Sequence, residues 1–316
     1  MDGTPTPLYN RTTCAARFTR HEVSVRLTAT AASSAQRTGI ILVVVGAFCF
    51  SLAIPFTRWT DGLGTSTIAF FRALFGFLFL SALAVASRAP VRQALNRGTI
   101  RRLVPLGLAV SATVILYTYA VQHTTAANAV LLVNSAPIYV AVLAPPLLGE
   151  PRARYTWLSL VLAFSGMALM TGPARLDVRS SELTGIVAAV LSGVGYGLSM
   201  LISRSLRGRI SGLTQNLWSN GTIVLVLFPW ALRAPGAAVA SNLHLLIPLG
   251  IFSLGLSYLL YFQGLQRISA QQVSVVSLAE PVFGVLMGLV FFAEIPHALG
   301  WIGAALILAS ITLITR

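Results

Sequence analysis

Apolar runs of about twenty residues, separated by gaps too short to fold, set the first constraint on this chain. They lie near 39–57, 67–86, 103–121, 127–148, 155–172, 184–203, 214–232, 243–262, 272–292 and 298–315. An α-helix needs roughly 17–25 apolar residues to cross a bilayer core. Within lipid, a helix satisfies every backbone polar group internally, so runs of this length predict helices. The expected fold is all-α and integral to a membrane, with ten transmembrane helices and no room for a soluble domain. Composition agrees, since only 9% of residues are charged, against about 25% in soluble domains.

Charge placement gives the orientation. The chain has no lysine, and its 22 basic residues are all arginine. With the N-terminus in the cytoplasm, 17 arginines fall on the inner side and 4 on the outer side, namely Arg58, Arg175, Arg179 and Arg233; Arg72 lies within a span. The positive-inside rule therefore places both termini in the cytoplasm of a multi-pass protein of the cell (inner) membrane. This spread also accounts for the net charge of +14 without a nucleic-acid partner, because no basic region large enough to fold stands alone. Cys14 lies in a polar tail and Cys49 in an apolar run, which argues against a disulfide. Residues 1–36 are rich in Ser, Thr, Ala and Arg and lack the apolar core of a signal peptide. A disordered cytoplasmic tail is expected there.

The rest of the chain is written twice. A shift of 144 residues aligns 116–171 with 260–315 without a gap. It superposes Tyr117 on Tyr261, Gln122 on Gln266, Pro137 on Pro281, Glu150 on Glu294 and Trp157 on Trp301. At the front of each half a shift of 146 places Thr38-Gly39 on Thr184-Gly185 and Arg58 on Arg204. Units of 37–173 and 174–316 follow, each with five spans. Because five is odd, the second unit enters the membrane from the opposite side, the inverted repeat that many secondary transporters use to alternate access to a midplane site.

The paired stretches "VNSAPIYVAVLAPPLLGEPRARYTWLSLVLAFSGMALM" and "SLAEPVFGVLMGLVFFAEIPHALGWIGAALILASITLI" resemble the fourth-plus-fifth and ninth-plus-tenth spans of EamA-type carriers. These belong to the drug/metabolite transporter superfamily. The resemblance covers about residues 38–315 and rests on the mid-helix Pro, the Glu thirteen residues later and the small-residue helix after it. It implies ten helices around a central cavity and export of metabolites, amino acids or drugs.

Glu280 is the residue hardest to reconcile with lipid. It lies about 12 Å into the ninth span at roughly 1.5 Å per residue, near mid-depth. A central Asp costs about 2.5–3.5 kcal/mol even on the lenient insertion scale, and Glu is comparable. It is expected to face the bundle interior, either in the transport pathway, binding cargo or carrying a proton, or as a structural group bonded to a neighbouring helix. Pro281 lacks an amide hydrogen, which predicts a kink and a Ser277 carbonyl freed beside Glu280. Pro137 does the same to Val133 in the fourth span. Broken backbone at this depth belongs beside a cavity or inside protein.

Further candidates lie in and beside the other spans. Asn134 and Tyr196 are candidate cavity residues, although tyrosine also suits the membrane interface. Arg72 either snorkels to the outer headgroups or faces the cavity, where it resembles a basic residue of the family. Glu150 and Glu294 each precede the next helix, where its dipole favours negative charge; gating is the alternative. The glycine spacings Gly193/Gly197 and Gly284/Gly288 suit close helix packing. His123, His244 and His297 lack metal-ligand spacing and are expected at the surface.

No cofactor is implied, and without lysine no nucleotide-binding loop of the G-x-x-x-x-G-K-[ST] kind can exist. A membrane-embedded enzyme would need a deep nucleophile with its base, or paired acids, and only one acid lies deep. The remaining readings are a secondary transporter and a membrane receptor or assembly protein without transport. The expected partners are a small-molecule substrate and membrane lipid, with homo-oligomerisation left open.

Overall fold

The fold is taken from a computed structural model, which describes residues 34–89, 91, 96–171 and 183–315. The tail expected over 1–36 lies outside these residues except for its last three, which open the first helix. No strand occurs among the described residues. The helices are α1 (Ser34–Arg58), α2 (Thr65–Ala86), α3 (Arg97–His123), α4 (Ala126–Val133 and Ala136–Leu148), α5 (Thr156–Thr171) and α6 (Leu183–Ser205). They continue with α7 (Gly212–Ala231), α8 (Leu243–Leu265), α9 (Ala270–Val276 and Ala279–Phe292) and α10 (Ala298–Ile314). A short helix at Gly236–Ser241 joins α7 to α8.

Among the described residues seven helices are long and apolar enough to cross a membrane: α1, α2, α3, α4, α6, α8 and α9. α5 and α10 are apolar but shorter. α7 has 20 residues, but Gln215, Asn216, Ser219 and Asn220 form a buried polar stripe along it and dilute its apolarity. Large apolar side chains cover the outside, with Val85 80% and Leu225 77% exposed. An apolar exterior over a core with buried amides and hydroxyls is what a lipid solvent selects.

The helix boundaries have local causes. Asn96 caps α3 by accepting from the Thr99 amide at 2.9 Å. The repeat mates Thr125 and Ser269 cap α4 and α9, accepting from the amides of Asn128 (3.1 Å) and Gln272 (3.2 Å). The Gln272 side chain reaches back to the Ser269 amide, completing a capping box. His297, expected as a surface residue, caps α10 by accepting from the Gly300 amide at 3.0 Å. α4 and α9 also end alike. Their C-caps, Gly149 and Ala293, take left-handed backbone at φ 66° and 53°, a conformation that turns the chain sharply out of a helix.

Packing respects the repeat. α2 packs on α7 and α5 on α10, each helix against its own counterpart. The α3–α7 contact has its mate in α8–α2. Small residues set the approach of α6 to α4. A Cβ on Gly193 would lie 2.6 Å from the Leu132 carbonyl oxygen, and one on Gly197 would lie 3.2 Å from that of Ala136. The first expected glycine pair therefore lets α6 press on the break in α4.

Candidate functional site

Both broken helices give way just before their proline. α4 opens at Asn134-Ser135 and α9 at Ser277-Leu278. Pro137 and Pro281 then fall in the first turn of the second half-helix, where an absent N–H costs nothing. The break lies upstream of the proline rather than at it. The Ser277 carbonyl is not freed as expected; it accepts from the Glu280 amide at 3.0 Å. The break also puts Glu280 in the first turn of a new helix, where the dipole favours its charge.

Glu280 lines a cavity of about 20 Å³, enough for about one water. Around it stand Phe50 from α1, Tyr196 from α6, Ser257, Tyr258 and Tyr261 from α8, and Ser277. The side chain is deep in the bundle yet half-buried, consistent with its bordering this space. The rings of Tyr196 and Tyr261 stack with centroids 6.2 Å apart. The Tyr261 hydroxyl lies beside that of Tyr196 but reaches no partner at hydrogen-bonding geometry.

Arg72 faces this centre and not the headgroups. Its Nε donates to Ser253 Oγ at 2.6 Å, and its guanidinium carbon lies 4.7 Å from the centre of the Phe50 ring. Its second terminal nitrogen, Nη2, is buried without a hydrogen-bond partner. Arg72, Tyr117, Tyr258 and Glu280 are close enough to interact electrostatically. The site thus brings together a carboxyl group, a guanidinium with an unused donor and several phenols deep in the bundle. Unmet polar groups of this kind favour a polar guest.

Ser253 sits in a π-helical turn, Ile251–Leu256, which interrupts α8. Asn216 Nδ2 donates to the carbonyls of Leu254 (3.2 Å) and Gly255 (2.8 Å), and Asn220 Nδ2 donates to Asn216 Oδ1 at 2.8 Å. The polar stripe of α7 thereby holds the turn that presents Ser253 to Arg72. Sequence reading misses this support, and the stripe itself is the signal available.

The remaining candidates separate. Asn134 donates from Nδ2 to the Val130 carbonyl at 2.9 Å, within its own helix, and does not line the cavity. Pro137 is buried beside it. Glu150, expected as a helix-start charge for α5, bonds to the other repeat. It accepts from Arg204 Nε at 2.5 Å and from the Ala270 amide at 2.9 Å, capping α9 of the other repeat. Arg204 also donates to the Leu265 carbonyl at the end of α8, 2.6 Å away. Glu294 accepts from Arg58 Nη1 at 2.5 Å. No cluster of metal-ligating side chains occurs among the described residues.

The EamA-like transporter family matches twice, over residues 37–172 and 183–316. The chain belongs to that family. It is a membrane transporter and a multi-pass protein of the cell membrane, which sets it in lipid with a small-molecule substrate. An uncharacterized transporter of Archaeoglobus fulgidus is 30% identical over 284 residues, covering 89% of this chain and 97% of that protein. The pseudopaline exporter CntI of Pseudomonas aeruginosa is 26% identical over 287 residues, covering 89% and 96%. A crystal structure with 19% identity superposes at a TM-score of 0.75, covering 90% of this chain and 96% of that one, and shares the fold.

Proposed function

We propose that this EamA-family protein is a secondary transporter that exports a small metabolite, amino acid or drug-like compound by alternating access through the central cavity. The observation that carries the reading is Glu280, an acid on a broken helix, lining a space enclosed by α1 of one repeat and α6, α8 and α9 of the other. The likeness to a named exporter favours the outward direction. In this reading ten helices cross the membrane as two inverted units, 37–173 and 174–316, with both termini in the cytoplasm. Glu280, Arg72, Tyr196 and Ser277 form the pathway, and Pro137 and Pro281 start the half-helices that shape it.

Two measurements test this. Purified protein in liposomes is expected to release a preloaded amino acid or toxic analogue faster than empty liposomes do, in a screen of such compounds. Absence of flux for every compound, from correctly inserted protein, would favour the receptor or assembly reading. Sidedness is the second. With Cys14 and Cys49 replaced by Ser, thiols introduced as His123→Cys and Arg267→Cys, both at exposed positions, are expected to react with an impermeant maleimide from opposite faces, His123→Cys from outside. Reaction from the same face would rule out inversion.

A further inference from the structure

Two arginines outside the cavity complete a symmetric pattern. Arg58 and Arg204 are repeat mates at the ends of α1 and α6, and Glu150 and Glu294 are repeat mates just after α4 and α9. The structure pairs them crosswise: Arg204 with Glu150, and Arg58 with Glu294, each at 2.5 Å. Each bridge therefore ties one repeat to the other. The left-handed residues Gly149 and Ala293 immediately precede the two acids and turn each out of its helix.

The two ends differ in closure. The Arg204–Glu150 side chains are 10% and 14% exposed, whereas those of Arg58–Glu294 are 48% and 55% exposed. At the buried end further bonds join the halves. Gln271 Oε1 accepts from Thr156 Oγ1 at 2.8 Å and from the Ala153 amide at 3.2 Å, and its Nε2 donates to the Pro151 carbonyl at 3.3 Å. One end is closed around its ion pair and the other leaves its pair about half exposed.

We infer that Arg204–Glu150 and Arg58–Glu294 are the two opposing gates of the carrier, each desolvated and tied when its end closes and hydrated when that end opens. The inference rests on the alternating-access reading above. Its physical content is balance. A carrier needs two states of similar free energy, because a strongly favoured one would trap the protein. With matched pairs at the two ends, the pair that is hydrated as one face opens is offset by the pair that is desolvated as the other face closes. In this structure the end predicted to be cytoplasmic is the closed one.

The test uses the full chain with Cys14 and Cys49 replaced by Ser and a reporter thiol in the cavity, Ser277→Cys. Inside-out and right-side-out membrane vesicles are treated with an impermeant maleimide, and the ratio of cytoplasmic to outer labelling is measured. Glu150→Gln is expected to raise that ratio about tenfold, equal to about 1.4 kcal/mol. Glu294→Gln and Arg58→Gln, at the exposed pair, are expected to lower it. Ratios that stay fixed, or that move the same way for both glutamine variants of the acids, overturn the inference. Should Glu150→Gln fail to insert, the exposed-pair variants decide alone: an unchanged or raised ratio overturns it. Labelling from one face only in every variant would instead remove alternating access itself. Labelling from both faces without response to either acid would remove the gates alone.

Discussion

Glutamine in place of Glu280 is expected to cut transport by about ten- to a hundredfold while leaving the protein folded and inserted. The size follows from the kind of interaction removed. Hydrogen bonds to charged groups are worth about 1.5–3 kcal/mol, and about 1.4 kcal/mol is a factor of ten. Stability should not fall, because glutamine keeps the shape and removes the cost of an acid at depth, about 2.5–3.5 kcal/mol for Asp on the insertion scale. The surroundings point the same way. Among the described residues Glu280 makes no ion pair with Arg72 within 4.0 Å, so the neutral residue breaks no direct contact and removes only the longer-range attraction between the two. Flux in proteoliposomes, read beside the thermal unfolding midpoint of the same preparation, checks both halves. Parent-level flux at every pH would exclude Glu280 from the mechanism. A lowered midpoint with matching loss of flux would make it a structural group.

How far the sequence discloses this site depends on the range of each interaction. The spans, the break near each proline and the deep acid are local features, legible because lipid forbids unsatisfied backbone and lone charges. The caps Thr125 and Ser269 are equally local, a hydroxyl just before an apolar run. What the sequence conceals is which repeat answers which. Glu150 followed by a new helix reads as that helix's charge, yet its carboxylate is captured by Arg204 and the Ala270 amide, 54 and 120 residues away. The repeat mates Arg58/Arg204 and Glu150/Glu294 are visible separately in the sequence; their crossing needs the fold. The π turn of α8 leaves even less trace, since its carbonyls are met by asparagines on α7, more than thirty residues upstream. Arg72 is ambiguous in sequence for the same reason: the residue that holds it inward, Ser253, lies 181 positions away.

Leucine at Gly303 is expected to remove most folded protein from the membrane, an effect larger than any loss at the exposed gate. α5 and α10 have 16 and 17 residues, about 24–26 Å at 1.5 Å per residue, short of a hydrocarbon core of about 30 Å. With little span to spare, these helices depend on each other, and they pack together closely. The crossing centres on two glycines. A Cβ on Gly166 would meet the Gly303 carbonyl oxygen at 2.5 Å and the Ile307 amide nitrogen at 3.2 Å. A Cβ on Gly303 would collide with the Gly166 carbonyl and meet the Met170 amide nitrogen at 2.9 Å. These obstacles include backbone atoms that cannot swing aside, so the helices must separate. Overpacking of a core costs about 1–3 kcal/mol, and more where the backbone must move. In lipid no hydrophobic drive pulls the pair back together, because the tails are as apolar as the side chains. Gly64→Ala is the control, since nothing lies within 4 Å of a Cβ there. Fluorescence-detected size exclusion of solubilised membranes should find the control at parental yield and Gly303→Leu reduced or aggregated. A monodisperse Gly303→Leu protein at parental yield and unfolding midpoint would mean that the α5–α10 crossing does not hold the two repeats together. The repeats would then be held together chiefly at α2–α7, the other crossing between a helix and its own repeat mate.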